Sequence, residues 1–427
     1  MPRTAIDIIS ELESRELVSQ LAGGDDLRAH LASENRVVYC GFDPTAESLH
    51  IGSLIPLLAL KRFQMAGHKP IALVGGATGM IGDPSFKSVE RQLNSGAVVQ
   101  QWVERLKPQL SQFLDFDKGK NSAMLVNNLE WTQQVDILSF LRDIGKHFSV
   151  NAMIQKESVK QRIERDGEGM SFTEFSYMIL QSYDFATLNN RFGCTVQIGG
   201  TDQWGNITSG IELTRRLHQQ QVYGITLPLV TKADGSKFGK TETGTVWISP
   251  SKTSPYAFYQ FWLNTADSDV YRFLKFFTFL GLQQIEEIER TDKSSTSRPE
   301  AQGILAAAVT ELVHGRTGLS AAMRISEALF SGEITSLTAD DLGQLELDGL
   351  PCTQLSNTPQ GIVDVLSATQ LAKSKKMARE FINNNAVSVN GQTVTSTEYQ
   401  FSANHALHGR YFVLKRGKKV FHLAKLA

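Results

Sequence analysis

The chain has 427 residues, 41% of them hydrophobic and 20% charged, as in a soluble globular protein of two to four domains. Its three cysteines, Cys40, Cys194 and Cys352, form no CxxC pair, so neither a disulfide framework nor a structural zinc site is supported, and a reducing, cytoplasmic setting fits best. Met1-Pro2-Arg3 leads into a polar helical stretch over 4–20, so no signal peptide is expected, and the apolar windows are too short to span a bilayer. The net charge of −1 hides an asymmetry: residues 361–427 carry ten Lys/Arg against three Asp/Glu. A basic end on an otherwise acidic chain fits a polyanionic partner, or simply a solvated basic face.

Short apolar runs at 36–42, 70–74, 123–127 and 194–198 read as strands, several of them β-branched. Helical periodicity follows at 54–66 and 207–219, and such alternation predicts an α/β domain with a parallel sheet over 1–248. From 249 to 334 the pattern turns helical, with an aromatic stretch at 254–280 and an Ala/Leu-rich one at 300–330. Residues 335–360 are acidic, polar and broken by Pro351 and Pro359, which predicts a linker. A small basic α+β module is expected over 361–427.

Five segments carry candidate chemistry. In Tyr39-Cys40-Gly41-Phe42-Asp43-Pro44-Thr45, a strand ends in a turn, and His50-Ile51-Gly52-Ser53 opens a helix. A helix start beyond the carboxyl end of a strand offers N–H groups and a positive dipole end to phosphate. His50 would donate to a phosphate oxygen, and Gly52 would leave room for a flat base. Gly75 to Pro84 is too rich in glycine for ordinary loop, and Asp83 in it suits an ammonium or a plain Asp-Pro turn. Lys87 and Arg91 follow at i,i+4, facing phosphate or solvent.

Ser171 and Glu174 predict a capping box opening a helix on which Tyr177, Gln181 and Asp184 form one stripe. A solvent face usually carries lysine, and 174–190 has no basic residue. A phenol, an amide and a carboxylate together suit an amino acid, with Asp184 accepting from a substrate hydroxyl. In Gln197 to Asn206 a strand runs into Gly199-Gly200 and a helix; Asp202 there suits ribose hydroxyls or an N-cap. Lys232 to Thr241 is one residue short of a Walker loop and reads as a flexible lid bearing Lys237 and Lys240.

Taken in order, these segments resemble the class I aminoacyl-tRNA synthetases, and within them the bacterial tyrosyl-tRNA synthetases. His50-Ile51-Gly52-Ser53 is similar to the HIGH signature and Lys237-Phe238-Gly239-Lys240-Thr241 to the KMSKS signature, while Ser374–Arg379 with Val387–Gly391 resembles an S4 RNA-binding module. The resemblance implies a Rossmann-like catalytic domain, a helical anticodon-binding-type domain and a terminal RNA-binding domain. It implies that Tyr39 and Asp184 bind a phenolic hydroxyl, and that Asp83, Tyr177 and Gln181 bind the ammonium. Gln203 would lie near the carboxylate. Thr45 and His50 would contact ATP phosphates; Gly41, Asp43, Gly52, Ser53, Gly200 and Asp202 would surround the nucleotide; Lys87, Arg91, Lys237 and Lys240 would hold pyrophosphate. Magnesium would arrive on ATP, with no all-protein metal site. A homodimer binding tRNA(Tyr) is implied as well. One position departs: Ser53 stands where the motif has its second histidine. A tryptophan-specific sibling, or an RNA-binding protein without catalysis, are the rival readings.

Overall fold

The structure is a computed structural model, described here for residues 7–427 apart from 86–93, 118, 165–168, 234, 236–237, 242–243, 297–298 and 357. The chain divides into two compact units, one of residues up to 248 with 267–297, the other of 249–266 with 298–427.

The first unit is built on six strands: β1 (Gln20–Ala22), β2 (Val37–Phe42), β3 (Lys69–Val74), β4 (Met124–Asn127), β5 (Cys194–Gly200) and β6 (Tyr223–Leu227). Their order is β1-β6-β5-β2-β3-β4, all parallel except β1, which pairs antiparallel with β6. The four expected strands are present to within two residues, because both faces of a covered parallel sheet must be apolar and the runs are therefore continuous. β1 and β6 were not anticipated. From β2 the chain winds outward through β3 and β4, then returns to β5 and winds the other way. The switch point, where such sheets open a crevice, thus lies beyond the carboxyl ends of β2 and β5.

Helices Leu54–Met65 and Trp204–His218 follow those two strands. The core under the crevice joins Tyr39, Leu73, Trp131, Phe185 and Leu188. Helix Phe172–Phe192 opens with the expected capping box, Ser171 Oγ accepting from the Glu174 N–H and Glu174 reaching back to Ser171.

In the second unit, helix Pro255–Leu263 packs along Ala301–Ser331, which Gly315 breaks at φ 67° and ψ 177°. A five-stranded sheet runs in the order 392–393, 387–389, 411–416, 420–426, 352–355. Helices Ile362–Ala368 and Lys375–Asn383 cover it over Ile362, Leu366, Ile382, Phe401 and Phe412.

Two expected boundaries need correction. The predicted linker at 335–360 contains helix Ala339–Gln344 and strand Cys352–Leu355, which adds to the terminal sheet in parallel with 420–426. Its polar sequence misled because this is a short edge strand, half exposed, on which alternation is weak. The helical segment at 249–334 is also not one body, since helices Asp267–Phe277 and Leu282–Ser294 cluster with the first unit. Their apolar faces are amphipathic like those of their neighbours, so periodicity alone does not say which core they join.

Candidate active site

A cavity of about 370 Å³ opens at the carboxyl ends of β2 and β5. Fourteen of the residues singled out in the sequence line it: Tyr39, Gly41, Asp43, Thr45, His50, Gly52, Ser53, Asp83, Tyr177, Gln181, Asp184, Gly200, Asp202 and Gln203. Lys87, Arg91 and Lys237 lie outside the described residues, and of Lys240 only the backbone is described, in a two-residue strand paired with Gly244–Thr245.

The floor is polar but buried. Asp184 is 1% exposed, and its carboxylate accepts from Asn128 Nδ2 at 2.9 Å and from Trp131 Nε1 at 2.8 Å. Burial still pushes its pKa up to about 7, against the lowering effect of those two donors. Beside it stands Tyr39, also 1% exposed, with its ring tilted on Phe185 at 5.2 Å. Burial, followed by the Asp184 charge, holds the Tyr39 phenol well above its ordinary range. The Tyr39 hydroxyl has no hydrogen-bond partner, and neither has Oε1 of Gln181 or of Gln197. Buried polar atoms are normally paired, so three unpaired ones lining one cavity define a place built for a polar ligand.

The middle of the cavity is a carboxylate network. Asp43 accepts from Tyr177 Oη at 2.5 Å and from Thr78 Oγ1 at 2.6 Å. Asp83 accepts from Gln203 Nε2 at 2.7 Å and from its own turn, the Ser85 N–H, at 2.9 Å. Gln203 also reaches Asp202 at 3.2 Å and is itself held by Asn206 at 3.1 Å. Asp202 is not the N-cap residue of either helix here: Gly200 precedes Thr201–Gln203 and Gln203 precedes Trp204–His218. The glycine-rich run after β3 has a definite cause: a Cβ on Gly75 would stand 1.9 Å from Asp43 Oδ1.

The mouth is exposed and shaped by backbone. His50 Nδ1 accepts from the Gly52 N–H at 3.0 Å, so the neutral ring carries its proton on Nε2 as a donor. A Cβ on Gly52 would meet that ring at 2.8 Å, so this glycine admits the histidine as well as any base. Ile51 N donates to Val246 O at 3.1 Å and Ile248 N to Leu49 O at 2.9 Å, which sews the His50 segment to the strand leaving the lysine loop.

Sequence reasoning missed Asn128 and Trp131, which hold Asp184, together with Thr78 and Gln197. Asn128 directly follows the carboxyl end of β4, where ligands gather; that was the available signal.

A parallel sheet with a switch-point cavity, a histidine at one helix start and a lysine-bearing loop sewn to it define a nucleotide-using α/β enzyme. Comparison with known proteins names the class: residues 32–331 match the family model for tRNA synthetases class I (W and Y). Residues 341–424 match that for the tyrosine–tRNA ligase SYY-like C-terminal domain. A tyrosine–tRNA ligase of Aliivibrio fischeri (strain MJ11) is 63% identical, covering 98% of each chain. One of Chromobacterium violaceum is 59% identical over 99% of each. Among solved structures, the C-terminally truncated mitochondrial tyrosyl-tRNA synthetase of Aspergillus nidulans is 30% identical, with TM-score 0.69 over 76% of this chain and 94% of that one. The chain belongs to the tyrosine–tRNA ligase family of class I tRNA synthetases. Among the described residues, no helix is long and apolar enough to cross a membrane.

Proposed function

We propose that tyrosine is activated in this cavity, its phenol on the floor and its carboxylate pointing to the mouth, where ATP binds. The observation that carries this reading is the unpaired Tyr39 hydroxyl beside the buried Asp184 carboxylate. A phenolic O–H accepts from Tyr39 and adds a third donor to Asp184; phenylalanine leaves the Tyr39 hydroxyl unpaired and gives Asp184 no donor beyond Asn128 and Trp131, in a buried site. Asp83, Tyr177 and Gln181 take the substrate ammonium, and Gln203 stands by its carboxylate. An indole has no hydroxyl oxygen to accept from Tyr39, which disfavours tryptophan.

At the mouth, Thr45 and His50 contact the phosphates, Gly41, Asp43, Gly52, Ser53, Gly200 and Asp202 surround the ribose and base, and Lys240 holds the leaving pyrophosphate. Lys87, Arg91 and Lys237 are assigned to the same polyphosphate. Magnesium enters as part of the substrate, ligated by phosphate oxygens. The tyrosine carboxylate is ionised at neutral pH and needs no general base. It attacks the α-phosphorus in line, forming the mixed anhydride as pyrophosphate departs. Charge grows on the phosphate oxygens, so catalysis rests on positioning and on donors already aimed there. In the second step a terminal ribose hydroxyl of tRNA(Tyr) attacks the tyrosyl carbonyl and AMP leaves.

The basic terminal module is assigned to the RNA, with net charge supporting the reading. We further propose a cytoplasmic homodimer. Ile137, Leu138, Leu141, Val150 and Phe172 are exposed apolar side chains close in sequence, a surface that a second copy would cover. ATP–pyrophosphate exchange should respond to tyrosine and not to tryptophan or phenylalanine; exchange driven by another amino acid, and not by tyrosine, would overturn the assignment.

A further inference from the structure

Helix Asp267–Phe277 contributes no residue to the cavity lining, yet it holds what borders the cavity. At its amino end Asp269, 2% exposed, accepts from the Ala233 N–H with both oxygens, at 3.1 and 3.0 Å. Arg272 donates to Asp269 at 2.7 Å and to the Thr231 carbonyl at 2.7 Å. Along its length, Phe238 stacks on Phe277 at 5.2 Å and meets Phe273 edge-on at 5.1 Å. Both shoulders of the loop at 231–239 are therefore gripped by one helix. A buried carboxylate is costly unless fully hydrogen-bonded, and here it is satisfied by Arg272 of its own helix and by a loop amide, which joins the two.

The other end of this helix is tied to the His50 side of the cavity. Arg62, on the helix that follows His50, donates to the Thr278 carbonyl at 2.6 Å, and Arg15 donates to the Leu280 carbonyl at 2.7 Å. Burial lowers the Arg62 pKa to about 9, which still leaves it charged at neutral pH. The two signature segments are thus referenced to the same rigid element. Gly239, immediately before Lys240, packs against Ile51 closely enough that a Cβ would stand 3.0 Å from it.

We infer that Asp269, Phe273 and Phe277 are positioning residues for tyrosine activation, fixing the backbone from which Lys240 acts relative to His50. This rests on the assignment of Lys240 to the triphosphate made above. No residue of this helix lines the cavity, so disturbing it should slow the chemical step and spare tyrosine binding.

The test uses the full-length protein and rapid-quench adenylate formation at varied ATP, with tyrosine affinity measured separately by equilibrium dialysis. Asp269→Asn and Phe273→Ala should slow adenylate formation about tenfold or more while tyrosine affinity changes by less than about twofold, as for a reacting group moved without being removed. Phe273→Leu, which keeps apolar bulk, should recover most of the rate. Combining Asp269→Asn with Lys240→Ala should be no slower than Lys240→Ala alone, since both act through one group. Effects that multiply in the double variant, or unchanged rates in both single variants, would overturn the inference. If Lys240→Ala itself leaves the rate and its ATP dependence intact, the triphosphate assignment fails instead. Should Phe273→Ala lose its cooperative melt, Asp269→Asn decides.

Discussion

The floor and the mouth of the cavity solve different problems with different materials. The floor consists of buried side chains, Tyr39, Asp184 and Gln197, with Asp184 oriented by Asn128 and Trp131 from beyond β4. The mouth consists of Gly41, Thr45 and His50, all exposed, with His50 Nδ1 accepting from the backbone N–H of Gly52. Discriminating a hydroxyl from a hydrogen requires a dry site, because water would otherwise satisfy the groups left unpaired. Gripping a polyphosphate requires donors that are charged or backbone-fixed, and those work at a wet rim. The comparison assigns specificity to the floor and rate to the mouth.

The largest expected break is at the mouth. His50→Ala should slow adenylate formation on the order of 100-fold, the scale of one lost transition-state donor, with tyrosine affinity unchanged in the same stopped-flow titration. Gly52→Ala should reproduce part of that loss, roughly tenfold, because its Cβ would stand 2.8 Å from the His50 ring and displace it. A smaller effect is expected at the floor: Trp131→Phe removes one of the two donors to Asp184 and should raise the tyrosine KM about fivefold, with kcat little changed.

The last expected effect is read in stability rather than in rate, as a pH dependence. The Asp184 carboxyl titrates near 3.8 when unfolded and near 7 in the fold. Between those values the unfolded chain binds fewer protons than the folded one. Its contribution to stability is therefore fully present below 3.8 and is lost as pH rises towards 7. Denaturant unfolding of the ligand-free protein from pH 5 to 8 should show that component in the wild type and lack it in Asp184→Asn.

Much of this was legible in the residues. The β-branched runs marked β2 to β5, the Ser171/Glu174 pair marked the start of the site helix, and the stripe Tyr177, Gln181, Asp184 marked the face that lines the cavity. What stayed hidden was assembled through space. Asn128 and Trp131 meet Asp184 across more than fifty positions, and no local period reports that contact. β1 is three residues long and partly exposed, too short for an alternation signal. The strand at 352–355 looked like linker because its partner residues lie 71 positions later, Leu423 opposite Cys352, in the strand 420–426.

The most direct test of the division between floor and mouth is tyrosine against phenylalanine binding to Asp184→Ala, by equilibrium dialysis without ATP. The account predicts that tyrosine affinity falls on the order of 10- to 100-fold while phenylalanine affinity changes little, so that the preference collapses. A preference for tyrosine that survives intact in that variant would show that the hydroxyl is read elsewhere.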